Sequence, residues 1–319
     1  MTTDTKTDAL LLVIAYKRFE NVKAIISIAE DSGINRVLVH IDRARDSDPG
    51  NALAQETFCN EMQNKQIYPN IEIVMTNENV GCAVNVISGV EKAFEKSRYC
   101  FILEDDCIPT RDFFKFASES QSILDSDKDL WLVCGTQFAP KSLVNGLTTR
   151  SNYALTWGWY TDWKKWKEIR ESLFSNTRGD WEQVSIHEKR YWTAGRKRAL
   201  DGITDVWDTI LVSKMRELGK FSLLPAECLI RNIGDDDAAT HTIAGSSWLH
   251  QTTGRFESPI RIADEETNRH LDKWLRNNVF KISIRHTFTT FITRLLDSLR
   301  LRKRKFSAPL IVRLSQNLR

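Results

Sequence analysis

Four short apolar runs recur along the first third of this chain, and the segments between them are helix-compatible. The runs are Leu10 to Tyr16, Arg36-Val-Leu-Val-His-Ile41, Ile71-Glu-Ile-Val-Met75 and Cys100-Phe-Ile-Leu103. After the first, Asn21 to Asp31 carries Val22, Ile25, Ile26 and Ala29 on one helical face. After the third and the turn Asn77-Glu-Asn-Val-Gly81, the stretch Ala83 to Lys96 turns Val86, Val90, Ala93 and Phe94 inward. A strand that is apolar without alternation is buried on both faces. Strand, helix, strand, helix with short connections therefore predicts an α/β fold with a mostly parallel central sheet flanked by helices. With 319 residues, 41% of them hydrophobic, the chain can fill one large core or two small ones.

Beyond Thr110 the same periodicities predict a helix over Asp112 to Leu124, a strand at Leu130 to Cys134 and an aromatic-rich region from Thr156 to Trp166. A helix over Val206 to Leu218 ends at Gly219, a C-cap signal, and Phe221 to Pro225 reads as a short strand. The acidic loop Asn232-Ile-Gly-Asp-Asp-Asp-Ala-Ala-Thr-His241 follows. A body of residues 8–258 with a basic, mostly helical C-terminal extension of residues 259–319 is the expected organisation.

The fourth run leads straight into Glu104-Asp105-Asp106. Adjacent carboxylates repel, and an unpaired buried charge is costly. In open parallel sheets, ligands bind beyond the carboxyl ends of the strands, and Asp42 ends the second strand while Arg18 follows the first. Hard oxygen ligands at such an edge suit Mg²⁺ or Mn²⁺, which take one or two carboxylates and complete their shell with substrate phosphates. The competing reading is an exposed acidic turn that happens to follow a strand. No G-x-G-x-x-G follows the first strand and no G-x-x-x-x-G-K-[ST] occurs, which disfavours a dinucleotide fold and a P-loop NTPase. The missing Gly-rich first loop also disfavours a sugar-nucleotide pyrophosphorylase, and the position of the acids disfavours a phosphoaspartate phosphatase.

Three segments in register, ENVGCAVNVISGVEKAFEKSRYCFILEDDCIPTRDFF, WGWYTDWKKW and DVWDTILVSKMRELGKFSLLPAECLIRNIGDDDAATHT, resemble a bacterial group of GT-A nucleotide-diphospho-sugar transferases. They are more distantly similar to the eukaryotic N-acetylglucosaminyltransferase that opens complex N-glycan synthesis, whose acidic motif is also Glu-Asp-Asp. The likeness runs from Leu10 to Thr242 and implies a GT-A fold. It further implies that Asp106 coordinates the metal and that Glu104 and Asp105 hold the ribose or the metal's waters. Asp42 would contact the base, Asn79 and Gly81 would shape its pocket, and His241 would approach the metal from the C-terminal side. Members of the group carry an acid three residues before that histidine; here the position is Ala238, with Asp235, Asp236 and Asp237 nearby.

Such a transfer, expected to be inverting, needs a cation on the leaving diphosphate, a carboxylate that takes the acceptor's proton, and an in-line geometry. Asp208, opening a helix after Trp207, is the expected base, because the positive end of a helix dipole keeps a carboxylate ionised. The alternative is that it only charges the helix start; Asp205 and Asp162 are the other candidates. Aromatic faces stack on sugar rings, so Trp157 and above all Trp159, beside Gly158, are expected to line the sugar site, with Trp163 and Trp166 packing a helix onto the core. A UDP-sugar is the favoured donor and a glycan or lipid-linked molecule the acceptor. A non-catalytic, membrane-associated nucleotide- or glycan-binding protein on the same fold is the rival.

The six cysteines are scattered without a C-x-x-C pair, as in a reducing compartment. From Lys281 to Arg319 there are ten Lys or Arg against one acid, Asp297. Phe288, Phe291, Ile292, Leu295, Leu296 and Leu299 recur there at helical spacing. A basic amphipathic helix suits an anionic membrane surface; packing on the body is the other reading. Aromatics are not interleaved with the charges, which disfavours nucleic acid. The N-terminus is polar and acidic, so a cytoplasmic location is expected, peripheral to the inner face of the plasma membrane if residues 281–319 bind it.

Overall fold

A computed structural model describes residues 9–64, 66, 68–175, 179–182, 184–234, 252–282 and 308–317. In chain order these form β1 (Ala9–Ala15), α1 (Phe19–Asp31), β2 (Val37–Ile41), α2 (Pro49–Met62), β3 (Ile71–Met75), α3 (Cys82–Phe94) and β4 (Tyr99–Glu104). Then come β5 (Cys107–Pro109), α4 (Arg111–Glu119), α5 (Gln121–Ser126), β6 (Leu130–Cys134), α6 (Lys141–Val144), β7 (Thr149–Ser151), β8 (Trp159–Asp162) and α7 (Trp163–Phe174). The remainder is α8 (Ile186–Leu200), α9 (Asp208–Leu218), β9 (Phe221–Leu224), β10 (Ile230–Asn232), α10 (Glu265–Asn278) and α11 (Leu310–Asn317).

Eight strands make one sheet in the order β3-β2-β1-β4-β8-β6-β9-β7. The first four are mutually parallel, β8 runs antiparallel to both β4 and β6, β6 and β9 are parallel, and β7 is antiparallel to β9. This is the α/β architecture that the apolar runs predict, a mostly parallel sheet flanked by helices. All seven residues of β1 are buried, and the two cores explain why they do not alternate with polar residues. Leu10, Leu12 and Ile14 join the layer that holds Val84, Ile87 and Val90 of α3. Leu11, Val13 and Ala15 join the layer that holds Val22, Ile25 and Ile26 of α1. Each large apolar side chain among them contributes about 1.5–3 kcal/mol by leaving water.

Where the elements differ from expectation, the cause is local. The single helix expected over Asp112 to Leu124 divides at Ser120, whose hydroxyl donates to the carbonyl of Phe116 (2.8 Å); such back-bonding bends helices. Helix α9 does stop at Gly219, which takes the left-handed conformation (φ 66°) that a residue without Cβ adopts at little cost. Helix α8 had no clear apolar stripe to announce it. It is held through Glu188, whose Oε1 accepts from Tyr153 (2.7 Å), from Arg216 Nε on α9 (2.7 Å) and from the Trp192 indole (3.3 Å).

Among the described residues after Pro259, two helices share the core of the body. Leu271 and Leu275 of α10 are fully buried in the α3-side layer, and Leu310 and Leu314 of α11 are buried there too. Strand β7 is a sheet edge with amides left over, and α10 covers it. Arg150 N donates to Asn268 Oδ1 (2.9 Å), Asn152 N to Asp272 Oδ2 (3.2 Å), and the Ser151 hydroxyl to Asp272 Oδ1 (2.6 Å). An edge satisfied in this way offers no template for another chain. Residues 310–317 dock on α3 and α8. The basic amphipathic stretch, Phe288 to Leu299, lies outside the described residues. Among the described residues no helix is long and apolar enough to cross a membrane.

Removing Glu188 leaves the buried Arg216 guanidinium without its carboxylate, so Glu188→Ala should cost about 3–5 kcal/mol, read as a shift of the urea unfolding midpoint. A loss below about 1 kcal/mol, the scale of an exposed pair, would show that the network carries no such role.

Candidate active site at the carboxyl edge of the sheet

The strand order places a switch point between β1 and β4, since the chain leads on from β1 to β2 on one side and from β4 to β6 on the other, and a crevice opens at their carboxyl ends. It is lined by Tyr16, Lys17 and Arg18 after β1, Asp42 and Arg45 after β2, Asn79, Gly81, Cys82 and Asn85 around the start of α3, the triplet Glu104 to Asp106, and Asp205. Arg18, Asp42, Asn79 and Gly81, all expected in the donor site from the sequence, thus share one cleft with Glu104, Asp105 and Asp106, although they come from separate strand ends and turns.

The three acids differ in what surrounds them. Asp105 is buried, and its Oδ2 accepts from the successive amides of Tyr16 (2.7 Å), Lys17 (3.1 Å) and Arg18 (3.4 Å). Arg18 Nη1 donates to its Oδ1 (3.3 Å), and Asn21 Nδ2 donates to its main-chain oxygen (3.0 Å). The expectation that Asp105 holds the ribose or metal waters meets a carboxylate engaged by the β1–α1 turn. Glu104 is partly exposed, accepts a hydrogen bond from the Trp207 side chain, and has its carboxyl driven well up by desolvation and then by Asp106, Asp208 and Asp105. Asp106 is raised by desolvation and by Asp105, with the Cys107 thiol donating to its Oδ1 (3.1 Å) as a partial offset.

The ribbon of β5 and β10 brings residues 232–234, which lead into the second acidic segment, up to the first. Asn232 faces Cys107 in this antiparallel pair, the amide of Ile233 donates to the main-chain oxygen of Asp106 (2.9 Å), and Gly234 follows. A Cβ at position 234 would overlap the Asp106 carboxylate, so only glycine allows this approach. His241 and Asp235 to Asp237 lie outside the described residues.

The opposite wall is the turn before α3. Asp42 is buried, and its carboxylate accepts from Val80 N (2.7 Å), Gly81 N (3.0 Å), Asn79 Nδ2 (3.0 Å) and Thr76 Oγ1 (3.4 Å). Asn79 also donates to the Arg43 carbonyl (2.8 Å) and accepts from Arg45 Nε (3.2 Å). Gly81 has φ 83°, which turns the chain into the helix. Burial pushes Asp42 up to about 6 against these hydrogen bonds. Asp205, also buried, accepts from the first amides of α3, Cys82 (2.8 Å) and Ala83 (3.3 Å), and so satisfies donors that a helix start leaves over. That work separates it from the role of base. Asp162 is excluded by position: it pairs with Tyr99 at the far end of β4 and caps α7 through Lys165 N (2.7 Å).

Asp208 opens α9 as expected, is exposed, and accepts from Thr209 N (2.7 Å). It stands near enough to Glu104 to raise that carboxyl. Trp159 is placed otherwise than expected. Only 1% exposed, it lies in the core against Trp207 (5.4 Å between centroids) and Trp166 (6.1 Å), and a ring without an open face cannot stack on a sugar. Trp163, expected in the core, is 40% exposed, whereas Trp166 is buried. The aromatic ring that reaches the acids is Trp207, which sequence reading passed over. Its indole is a donor without an acceptor lone pair and needs an acceptor when buried, and the adjoining Asp208 was the available signal.

No protein-family model matches the chain, and no curated protein matches it in sequence. Solved structures do. HddC from Yersinia pseudotuberculosis complexed with GMP-PN is 12% identical with a TM-score of 0.28, over 39% of this chain and 56% of that one. GalNAc-T7 with UDP, GalNAc and Mn²⁺ is 10% identical with a TM-score of 0.42, over 68% of this chain and 42% of the other. Mannose-1-phosphate geranyltransferase from Thermus thermophilus is 10% identical with a TM-score of 0.36, over 69% and 74%. The matched part thus spans little more than half of HddC and less than half of GalNAc-T7. With likenesses this low, the fold rests on the strand order and register given above.

Three raised carboxyls in one cleft have a consequence for stability. The Asp carboxyl starts from 3.8 and Asp42 titrates near 6, and Glu104 and Asp106 shift the same way. In that window the native state holds more protons than the unfolded chain, so metal-free protein should lose stability as pH rises from about 4 to beyond 6. Asp106→Asn should flatten the decline and raise Tm at neutral pH, whereas Asp105→Ala, which strips three amides of a charged acceptor, should lower Tm at every pH. Thermal unfolding in chelator across this range checks both.

Proposed function

We propose that this chain transfers a sugar from a nucleotide-diphosphate donor, a UDP-sugar by preference, to a glycan or lipid-linked acceptor, with a divalent ion at Asp106. The supporting observation is the cleft itself: Glu104 and Asp106 share its lining with Lys17, Arg18 and Arg45, and Asp208 stands near enough to Glu104 to raise that carboxyl. Carboxylates for a cation and basic side chains for phosphate, gathered in one cleft, are what a metal-bound diphosphate requires.

The residues present fit a metal of that kind and not a closed cage. Among the described residues no group of three or more Asp, Glu, His or Cys converges to hold an ion. Asp105 is taken up by main-chain amides, which leaves Asp106 as direct ligand and Glu104 as partner to bound water. One or two carboxylates plus substrate phosphate is the usual coordination of Mg²⁺ and its hard relatives. Both carboxyls are raised in the protein alone, by burial first and by neighbouring acids second, and a cation would offset both. His241 is proposed as the remaining protein ligand.

When bound, the ion supplies charge to the departing nucleoside diphosphate. The chain's own groups do the rest. The Tyr16–Arg18 turn, gathered by Asp105, holds its amides and the Arg18 side chain at the diphosphate edge of the cleft. The turn from Thr76 to Cys82, gathered by Asp42, forms the wall for the nucleoside. Trp207 orients Glu104 by one hydrogen bond and is itself packed against Trp159. Asp208 takes the proton of the acceptor hydroxyl, its exposed carboxylate lying where an acceptor can enter, and the nucleophile displaces the diphosphate from the opposite face of the anomeric carbon with inversion.

Metal-dependent release of nucleotide from a panel of UDP- and GDP-sugars tests this reading. Asp106→Ala should abolish the metal dependence. Asp208→Asn should lose about 10²–10⁴ in kcat, the share of a general base, with donor affinity within about threefold. Wild-type protein that binds nucleotide and never turns it over would show a binding protein instead.

A further inference from the structure

The mechanism leaves one buried cation of the cleft wall unused. Arg313, on α11, has a side chain only 10% exposed, and it comes to this wall from far along the sequence. Its Nη1 donates to the carbonyl of Val80 (2.9 Å), a contact across 233 residues, and its Nη2 lies 3.6 Å from Asp205 Oδ1. The Val80 residue is thus gripped at both ends, its N–H by Asp42 (2.7 Å) and its oxygen by Arg313. Just beyond it, Cys82 and Ala83 give their amides to Asp205. Gly81, Cys82 and Asn85 face the cleft directly.

Charge explains why an arginine belongs there. Asp42 and Asp205 are buried carboxylates on the same wall and repel each other, one of the causes that raise Asp42. Burial lowers the Arg313 guanidinium, and the acids that act on it, Asp205 and Asp42, oppose that in part. A planar guanidinium serves a carbonyl and a carboxylate together, which a lysine point charge does less well. The apolar neighbours Leu310 and Leu314, fully or almost fully buried, seat the helix so that this one polar group points inward.

We infer that α11 is a working part of the cleft, with Arg313 as a positioning residue that locks the Val80–Ala83 turn and thereby sets affinity for the nucleoside diphosphate. This rests on the donor-site reading above. It also makes nucleotide binding and docking of α11 reciprocal: a ligand that needs the ordered turn favours the docked helix by the same factor that the docked helix favours the ligand.

The test is calorimetric titration of UDP and GDP, each with Mn²⁺, into the full chain and its Arg313→Met and Arg313→Lys variants. Methionine keeps the apolar stem and removes the fork. Arg313→Met should weaken nucleotide about tenfold or more, the scale set by about 1.4 kcal/mol, and Arg313→Lys should recover part of the loss. A merely structural role would lower Tm and leave the Kd of the folded protein unchanged. Wild-type binding with Arg313→Met within about twofold of it, on the same scale, overturns the inference and leaves the donor site standing. Wild-type protein that binds neither nucleotide overturns the donor-site reading, and this inference with it. Should Arg313→Met not fold, hydrogen exchange on the wild type decides. Nucleotide should slow exchange in residues 80–85 and in 310–317 together, and protection confined to the turn after β1 and the acidic triplet refutes the coupling.

Discussion

One carboxylate organises the carboxyl edge of the sheet. Asp105 collects three consecutive main-chain amides from the turn after β1 and adds the Arg18 side chain and Asn21. Strands β1 and β4 are hydrogen-bonded neighbours whose chains separate beyond Ile14 and Glu104. At the point of separation, amides that would otherwise face the cleft unpaired find a charged acceptor, and such bonds are about twice as strong as neutral ones. With the two turns tied together, the crevice has fixed lips, and the acids on either side of Asp105 are left to face into it.

The opposite wall repeats the device. Asp42 collects Val80, Gly81, Asn79 and Thr76, and Asp205 collects the first amides of α3. In each case a buried acid is tolerated because main-chain donors surround it, which is the condition for burying charge at all. At Glu104 the side-chain donor is the Trp207 indole and at Asp106 the Cys107 thiol, in place of a run of amides from another turn. Acids that hold the backbone and acids that await a cation are distinguished by their partners. The Trp159–Trp207 contact serves the same end: core packing away from solvent orients the indole that touches Glu104.

Much of the fold was legible in the sequence. The strands at Ile71–Met75 and Leu130–Cys134 fall where their apolar runs lie, α3 starts one residue and ends two residues earlier than expected, and α9 starts two residues later. Local pattern suffices there, because a run apolar on both sides has only one stable environment. Helix α8 was missed since it is held by Glu188, Tyr153 and Arg216 rather than by an apolar stripe. The short strands β7 and β10 were missed because each is three residues long and stable only through its partner. At the site, Asp42, Asn79, Gly81, Arg18 and the triplet do converge, whereas Trp159 was misplaced: stacking surface and core packing use the same aromatic chemistry, and only burial separates them.

What the sequence by itself determined is the set of strands and the placing of acids at their carboxyl ends, because both follow from residues adjacent in the chain. Which acid would be neutralised by the backbone and which left to the cleft was decided by the tertiary structure alone. The partners lie far off: 87 to 89 residues separate Asp105 from the turn it holds, and 233 separate Val80 from Arg313. A carboxylate's role depends on the donors within about 3 Å of its oxygens, and those donors are chosen by the packing of the sheet, not by the neighbours in sequence.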